Sequence, residues 1–292
     1  MNSRDSINRF KKERRKLLHM QSSHILVVAV GFLLFGVAIG MVISPAPEAD
    51  DDAAMILLRL QSEITASLEM LDSELAAVAY DLGTTGLDNP AARERLLKLS
   101  RSSPAIIDCT TVSPEGVILA AEPPEYHGAE GKEVSDQSST MQILESQRPV
   151  MSGYGPVAED LDAVFISAPV FTRGGNASGP DGRFLGFTSI VFQPHLLIGG
   201  AAEPIISGKP YSITVVDTDG RVLYDTDPDQ IGLPLDDPVY TAYPVLVEFV
   251  TRVTEERQGQ GSYIFREQTK EAVWTTVSLH GTEWRVAVTR TL

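Results

Sequence analysis

The chain contains a single cysteine, Cys109, so no intrachain disulfide can form, and a buried Cys109 acting as a small hydrophobe is the expected role. Histidine is scarce: beyond residue 43 only His127, His195 and His280 occur, none beside a G-x-S-x-G elbow or in an H-E-x-x-H helix. His195, in FQPH, reads as a loop residue. There is no phosphate-binding loop, and the glycine pairs at 174 and 199 lack the strand–turn–helix setting of a dinucleotide fingerprint. Basic residues are in deficit, 24 Lys and Arg against 39 Asp and Glu, for a net charge of −15. A nucleic-acid partner is thereby disfavoured, because a phosphate-binding face must be basic. The chain is expected not to be an enzyme, with an extracytoplasmic hydrolase as the remote alternative, and neither a metal nor a cofactor is expected.

What is present is uneven along the chain. Residues 1–24 hold seven Lys and Arg against two acids and so carry +5, which leaves −20 for the remainder. Next comes ILVVAVGFLLFGVAIGMVI, residues 25–43, without a charge. As a helix it would rise about 28 Å, near the thickness of a bilayer's hydrocarbon core. Basic residues before it and the acidic PAPEADDD after it put the N-terminus in the cytoplasm and residues 44 onward outside. A cleaved signal peptide is the alternative; the long basic region and long apolar run favour an uncleaved single-pass anchor.

Residues 51–82 then set Leu57, Leu60, Ile64, Leu68, Leu71, Leu75, Val78 and Leu82 at spacings of three and four, which predicts one long helix ending at Gly83. Near the membrane its stripe is expected to contact a second copy, and beyond that its own domain. A short helix is predicted over 90–101, with Pro90 in its first turn. The period then falls to two, and strands are predicted over 105–112, 116–121, 164–171 and 184–192. The loop 173–182 joins the last two and holds an Asn176-Ala-Ser glycosylation pattern.

From residue 211 the pattern restarts. TVSPEGVILAAEPPEYHG (111–128) overlies VVDTDGRVLYDTDPDQIG (215–232) at a constant offset of 104, matching Gly116 with Gly220, Leu119 with Leu223, Pro124 with Pro228 and Gly128 with Gly232. The echo continues from AVFISAPVF and FLGFTSIVF to EAVWTTVSL and EWRVAVTR, and residues 236–255 read as one helix. The fold class expected is α+β: an N-terminal transmembrane helix, a long exterior helix, and two tandem modules, each with an antiparallel sheet of about five strands. The segments are 1–24, a cytoplasmic tail; 25–43, the anchor; 50–101, the helical stalk and second helix; 102–205, a membrane-distal module; and 206–292, a membrane-proximal module.

In VVDTDGRVLYDTDPDQIG, GSYIFREQTKEAVWTTVSL and the closing HGTEWRVAVTR, taken in this order behind an anchor and a long helix, the chain resembles the double Cache family. These are the paired PAS-like extracytoplasmic sensor domains of chemoreceptors and histidine kinases. The resemblance implies a small solute bound in the distal module and a signal passed to a kinase, chemoreceptor or transporter partner in the membrane. A homodimer through the long helix is expected. A non-signalling solute-binding or protein-interaction module is the alternative. The Arg-x-Trp-Tyr cluster of the family's amino-acid receptors is missing: between Gly131 and Tyr154 there is Arg148 without tryptophan.

Ligand contacts are expected from Asp108, Tyr126, Arg148, Tyr154, Asp160 and Phe165, with Arg148 able to fork onto a carboxylate. In the second module Tyr211, Tyr224 and Asp225 are candidates for a smaller cavity. Asp225, Asp227, Asp229 and Asp236 occupy positions 1, 3, 5 and 12 of an EF-hand count, but position 6 is Gln230 where that loop needs glycine, so a calcium loop is not expected. Asp217 and Asp219 read as turn residues around Gly220.

Overall fold

The computed structural model describes residues 49–173 and 182–292. The apolar run 25–43 and the Asn176 pattern lie outside the described residues. None of the described helices is long and apolar enough to cross a membrane. The chain divides into a unit of residues 1–51 and a compact unit of residues 52–292.

Helix α1, Ala49–Thr85, is the predicted long helix. Its stripe from Ala53 through Leu60, Ile64, Leu68, Leu71 and Leu75 to Leu82 is buried within the chain itself. Fully burying such a leucine or isoleucine is worth about 1.5–3 kcal/mol, so this face is committed to the fold along its whole length. Met55, Leu58 and Met70 remain exposed on other faces. Helix α2, Pro90–Ser100, is capped by Asn89, whose Oδ1 accepts from the backbone N–H of Ala91 and Ala92 at 3.0 Å.

The first sheet holds β1 (Ile106–Val112), β2 (Ile118–Glu122), β3 (Val150–Met151), β5 (Asp162–Phe171) and β6 (Phe184–Phe192) in the order β2-β1-β6-β5-β3, with β4 (Gly155–Pro156) on β5. Helix α3, Ser138–Ser146, lies between β2 and β3 in sequence. The second sheet holds β7 (Ser212–Asp217), β8 (Val222–Asp225), β9 (Gly259–Phe265), β10 (Gln268–Leu279) and β11 (Thr282–Thr291) in the order β8-β7-β11-β10-β9. Every pairing in both is antiparallel, and the two orders are the same once the strands are renumbered. The duplication is thus a duplication of topology.

The repeated hairpin shows why. Gly116 and Gly220 both take positive φ, 84° and 85°, and each donates its N–H to the residue three back, Ser113 and Asp217. Asp217 Oδ1 also accepts from the N–H of Asp219 and of Arg221, so the turn-residue reading of Asp217 holds. The gap-free offset ends sooner than the sequence suggests. Gly131 donates to Ile118 as Gly232 does to Val222, and both have φ above 80°, so Gly131, not Gly128, is the counterpart of Gly232. The first copy runs through a longer 3-10 turn, Pro124–Ala129, than the second, Pro228–Gln230.

Two further expectations change. His195 is no loop residue: Pro194 starts helix α4, Pro194–Ile206, which leads into the second module. The helix read over 236–255 is two, α5 (Pro238–Thr241) and α6 (Pro244–Glu255), because Pro244 has no N–H to continue the first.

One face of each sheet packs with α1 and α4 in a single apolar core, which joins Cys109, Ile166, Ile190 and Phe192 of the first to Ile213, Trp284, Val286 and Val288 of the second. Burial pushes the Cys109 thiol up, in keeping with a packing role. The opposite faces hold separate small clusters, around Phe187 and Ile143 in the first module and around Trp274, Phe249 and Leu246 in the second.

Candidate functional site

Strand alternation puts Asp108, Thr110 and Val112 of β1 on the face away from α1, and the register sets Phe165 and Ser167 of β5 and Phe187, Ser189 and Val191 of β6 beside them. Ser167 and Ser189 share a 2.7 Å hydrogen bond. Over this face lies the segment 153–161. Lys132 ties it down, donating to the carbonyl of Ala158 at 2.5 Å and pairing with Asp160 at 3.2 Å. The enclosed space is about 30 Å³, lined by Thr110, Gln137, Thr140, Glu159, Phe165 and Ser189 among others. That is room for a water or two.

Beside it Asp108 is fully buried, and neither its carboxyl oxygens nor Oε2 of Glu159 meets an N–H or basic donor among the described residues; the two acids face each other. Burial, and then the charge of Glu159, push the Asp108 carboxyl up to about 9. Burial raises Glu159 also, so the two neighbouring acids hold a proton between them more tightly than either would in water. The Tyr126 hydroxyl is pushed up by burial and then by Asp108, which puts that ring in the same neighbourhood. A buried acidic pair of this kind offers acceptors to a cationic or N–H-rich group.

The six candidate residues therefore separate. Phe165 lines the first-module pocket, Asp108 stands at its edge and Tyr126 close by. Arg148 is exposed on the turn after α3 and lies outside the cavities, so it is not placed to fork onto a solute there. The Asp160 side chain is 91% exposed, at φ 61°, bound to Lys132. Tyr154 points toward the second module, where the Arg221 guanidinium lies 5.9 Å from its ring centre. Glu159 was missed by one position; the acidic pair before β5 offered two choices, and only the turn geometry decides which points inward.

A roomier cavity than the first module's, about 190 Å³, lies in the second module between the sheet and α6. Asp225 lines it; Tyr211 and Tyr224 do not, because both pack toward the shared core with α1. Asp225 Oδ2 accepts from Thr214 Oγ1 at 2.6 Å and Oδ1 from the N–H of Asp227 at 2.8 Å, and burial pushes its carboxyl up to about 6. Among the described residues no three His, Cys, Asp or Glu side chains gather as a metal site would require.

Residues 66–194 match the family described as HK/GC/Chemotaxis protein-like, sensor domain. Over these residues the chain is similar to the sensor domains of that family. No curated protein matches it. Among solved structures, an extracellular ligand binding receptor from Desulfohalobium retbaense is 27% identical over 84% of this chain, with a TM-score of 0.69. The chain spans 41% of that receptor's length. The ligand-binding domain of the Pseudomonas aeruginosa amino acid chemoreceptor PctC, in complex with GABA, is 15% identical, covers 83% of this chain and all of its own, and has a TM-score of 0.60. That of the Pseudomonas fluorescens chemoreceptor CtaA, in complex with L-alanine, is 12% identical over 84% of this chain and 97% of its own, at a TM-score of 0.62. At these identities the two chemoreceptor domains establish a common fold: α+β, with two antiparallel sheets behind one long helix. The expected α+β fold with two antiparallel sheets is met, and the expected likeness to chemoreceptor and histidine kinase sensor domains is found.

Proposed function

We propose that the chain is a membrane-anchored extracytoplasmic sensor whose first module binds a small amine-bearing solute. Residues 25–43 would be its single-pass anchor, with residues 1–24 in the cytoplasm, and a separate kinase, chemoreceptor or transporter would carry the output. One observation carries the ligand class: the buried carboxyl of Asp108 and Oε2 of Glu159 beside it have only each other, with no N–H or basic donor among the described residues. An ammonium group would displace the shared proton and give both acids the donors they lack, a charge-assisted contact stronger than a neutral one. The GABA and L-alanine named with the chemoreceptor domains each carry such a group.

Because the enclosed space holds only a water or two, binding requires the segment 153–161 to lift and settle again over the solute. A solute that favours one position of that segment would shift the population of states read by the partner. The test is calorimetric titration of the full chain with butylamine and with its uncharged isostere butanol. Saturable butylamine binding that Asp108→Asn weakens at least tenfold, with butanol silent, supports the reading. Equal response to both compounds, or butylamine binding that ignores Asp108→Asn, overturns it.

A further inference from the structure

The second module's cavity, about 190 Å³ between the sheet and α6, is not used by the activity proposed above. Its two ends differ. One is polar, with Ser212, Thr214, Asp225, Lys270 and Thr289; the other is apolar, with Val216, Leu246, Phe249 and Val253, and Arg285 at its border. Strand register explains the arrangement. Asp225, Thr214, Ala287 and Trp274 form one row across β8, β7, β11 and β10, and Arg285 stands two residues along β11, opposite Val216.

Charge bookkeeping narrows the occupant. Arg266 is paired with Asp227 at 3.5 Å, and Arg285 with Glu283 at 2.9 Å. That leaves Asp225 and Lys270, opposite in sign, each lining the cavity and neither in an ion pair among the described residues. Asp225 is held by two donors, which aim its oxygens and offset part of the rise that burial imposes. The Lys270 ammonium lies 5.7 Å from the Phe265 ring centre, and its charge acts on Asp225 without forming an ion pair among the described residues. Arg285 is 4% exposed, and its Nε–H has no acceptor among the described residues. A buried donor left without an acceptor is costly, and a solute that supplies one would recover that cost.

We propose that this cavity is a second ligand site, for a compact solute of no net charge that has a dipolar head and an apolar body. The head's cationic or N–H side meets Asp225 and its acceptor side meets Lys270. The body lies along Val216, Leu246, Phe249 and Val253. A purely anionic or cationic solute would leave one of the two charges uncompensated in a half-buried site. In the first copy the offset puts Ala121 where Asp225 stands, and Ala121 belongs to a packed cluster around Phe187. The two modules therefore offer sites of different chemistry.

The test uses the full chain and three five-carbon probes of similar shape: norvaline (dipolar), valerate (anionic) and pentylamine (cationic). Each is titrated into the wild type, Asp108→Asn, Asp225→Asn and Ala287→Leu. Asp225→Asn keeps an acceptor for the Asp227 N–H and can donate to Thr214, so the fold is preserved. Ala287→Leu fills the floor with no change of charge. The expected result is saturable norvaline binding at least tenfold tighter than valerate or pentylamine, retained in Asp108→Asn and lost at least tenfold in both second-module variants. If no probe binds the wild type, or if Asp108→Asn abolishes norvaline binding while Ala287→Leu leaves it, the second site does not exist. Tighter binding of valerate or pentylamine in the Asp108→Asn background overturns the dipolar class. Since the Asp108→Asn arm removes the first-module site alone, failure of that reading and failure of this one give different patterns.

Discussion

The Arg221 guanidinium lies 5.9 Å from the ring centre of Tyr154 and donates to the carbonyl of Gly232 at 3.0 Å. The segment that covers the first module's pocket thus rests on the turn that opens the second. A second tie runs beside it, from Thr282 Oγ1 on β11 to the carbonyl of Met151 on β3, 2.5 Å. Removing the Tyr154 ring should loosen both ends. Tyr154→Ala is expected to speed amide hydrogen exchange at 153–161 and at the Asp217–Gly220 turn together, with β5 and β6 unchanged. Faster exchange at one end only would mean that the contact carries no coupling.

Asp108 makes a prediction about pH. Its folded pKa, about 9, stands above the ordinary 3.8, so the folded chain binds a proton that the unfolded chain releases. The stability tied to that proton is fully present below about pH 4 and is lost as pH rises through about 9. The melting temperature should fall across this range, and Asp108→Asn should flatten the slope and exceed the wild type at pH 9 by about 2–4 °C or more, the shift expected of 1 kcal/mol in a domain of this size. A parallel slope in the variant would remove Asp108 as its source.

The α1 stripe separates monomer core from any dimer seam. Leu68, 1% exposed, belongs to the core, whereas Leu58, 63% exposed, touches little of it. Leu68→Ala should cost about 2–5 kcal/mol in urea unfolding. Leu58→Ala should leave monomer stability within about 0.5 kcal/mol. If Leu58→Ala instead lowers the dimer fraction in analytical ultracentrifugation, the exposed Met55–Leu58 face, not the buried stripe, is where copies meet.

The paired turns give a graded prediction. A Cβ on Gly116 would come within 2.6 Å of Ser135 Cβ and 3.0 Å of its Cα, whereas on Gly220 it would meet Leu235 Cβ at 3.0 Å. Both positions also impose positive φ, which costs a non-glycine residue about 1–2 kcal/mol. Gly116→Ala should therefore destabilise the chain more than Gly220→Ala, because backbone must yield in the first case and a side chain in the second. Equal losses in thermal unfolding would assign the whole effect to φ.

The architecture was legible in the sequence because its carriers repeat: leucines at helical spacing bury one face, and the turn glycines mark the same hairpin twice. Details set by close approach were not. Helix α4 carries Gly199, Gly200 and an internal Pro204, poor helix residues, yet it forms because Leu197, Ile198, Ala202 and Ile205 are buried in the core; a Cβ on Gly199 would stand 3.3 Å from the Tyr224 ring. The choice between Glu159 and Asp160 depended on a turn in which Asp160 takes φ 61° and points away. Arg148 and Tyr154 were plausible by chemistry and misplaced by direction. The second cavity was underestimated for a related reason. Asp225 was a candidate for a smaller cavity, and the strand register is what separates it, facing inward, from the turn-forming Asp217 and the Arg266-bound Asp227.

The shared core around α1 has a thermodynamic consequence. Since Leu60 to Leu82 of one helix are packed in the same cluster as Ile190 of the first sheet and Val286 of the second, neither sheet can open without exposing the other's apolar floor. The molecule should melt in one calorimetric peak. A solute held in either module would then raise the melting temperature of both, and the long helix would feel occupancy at two addresses as a single free energy.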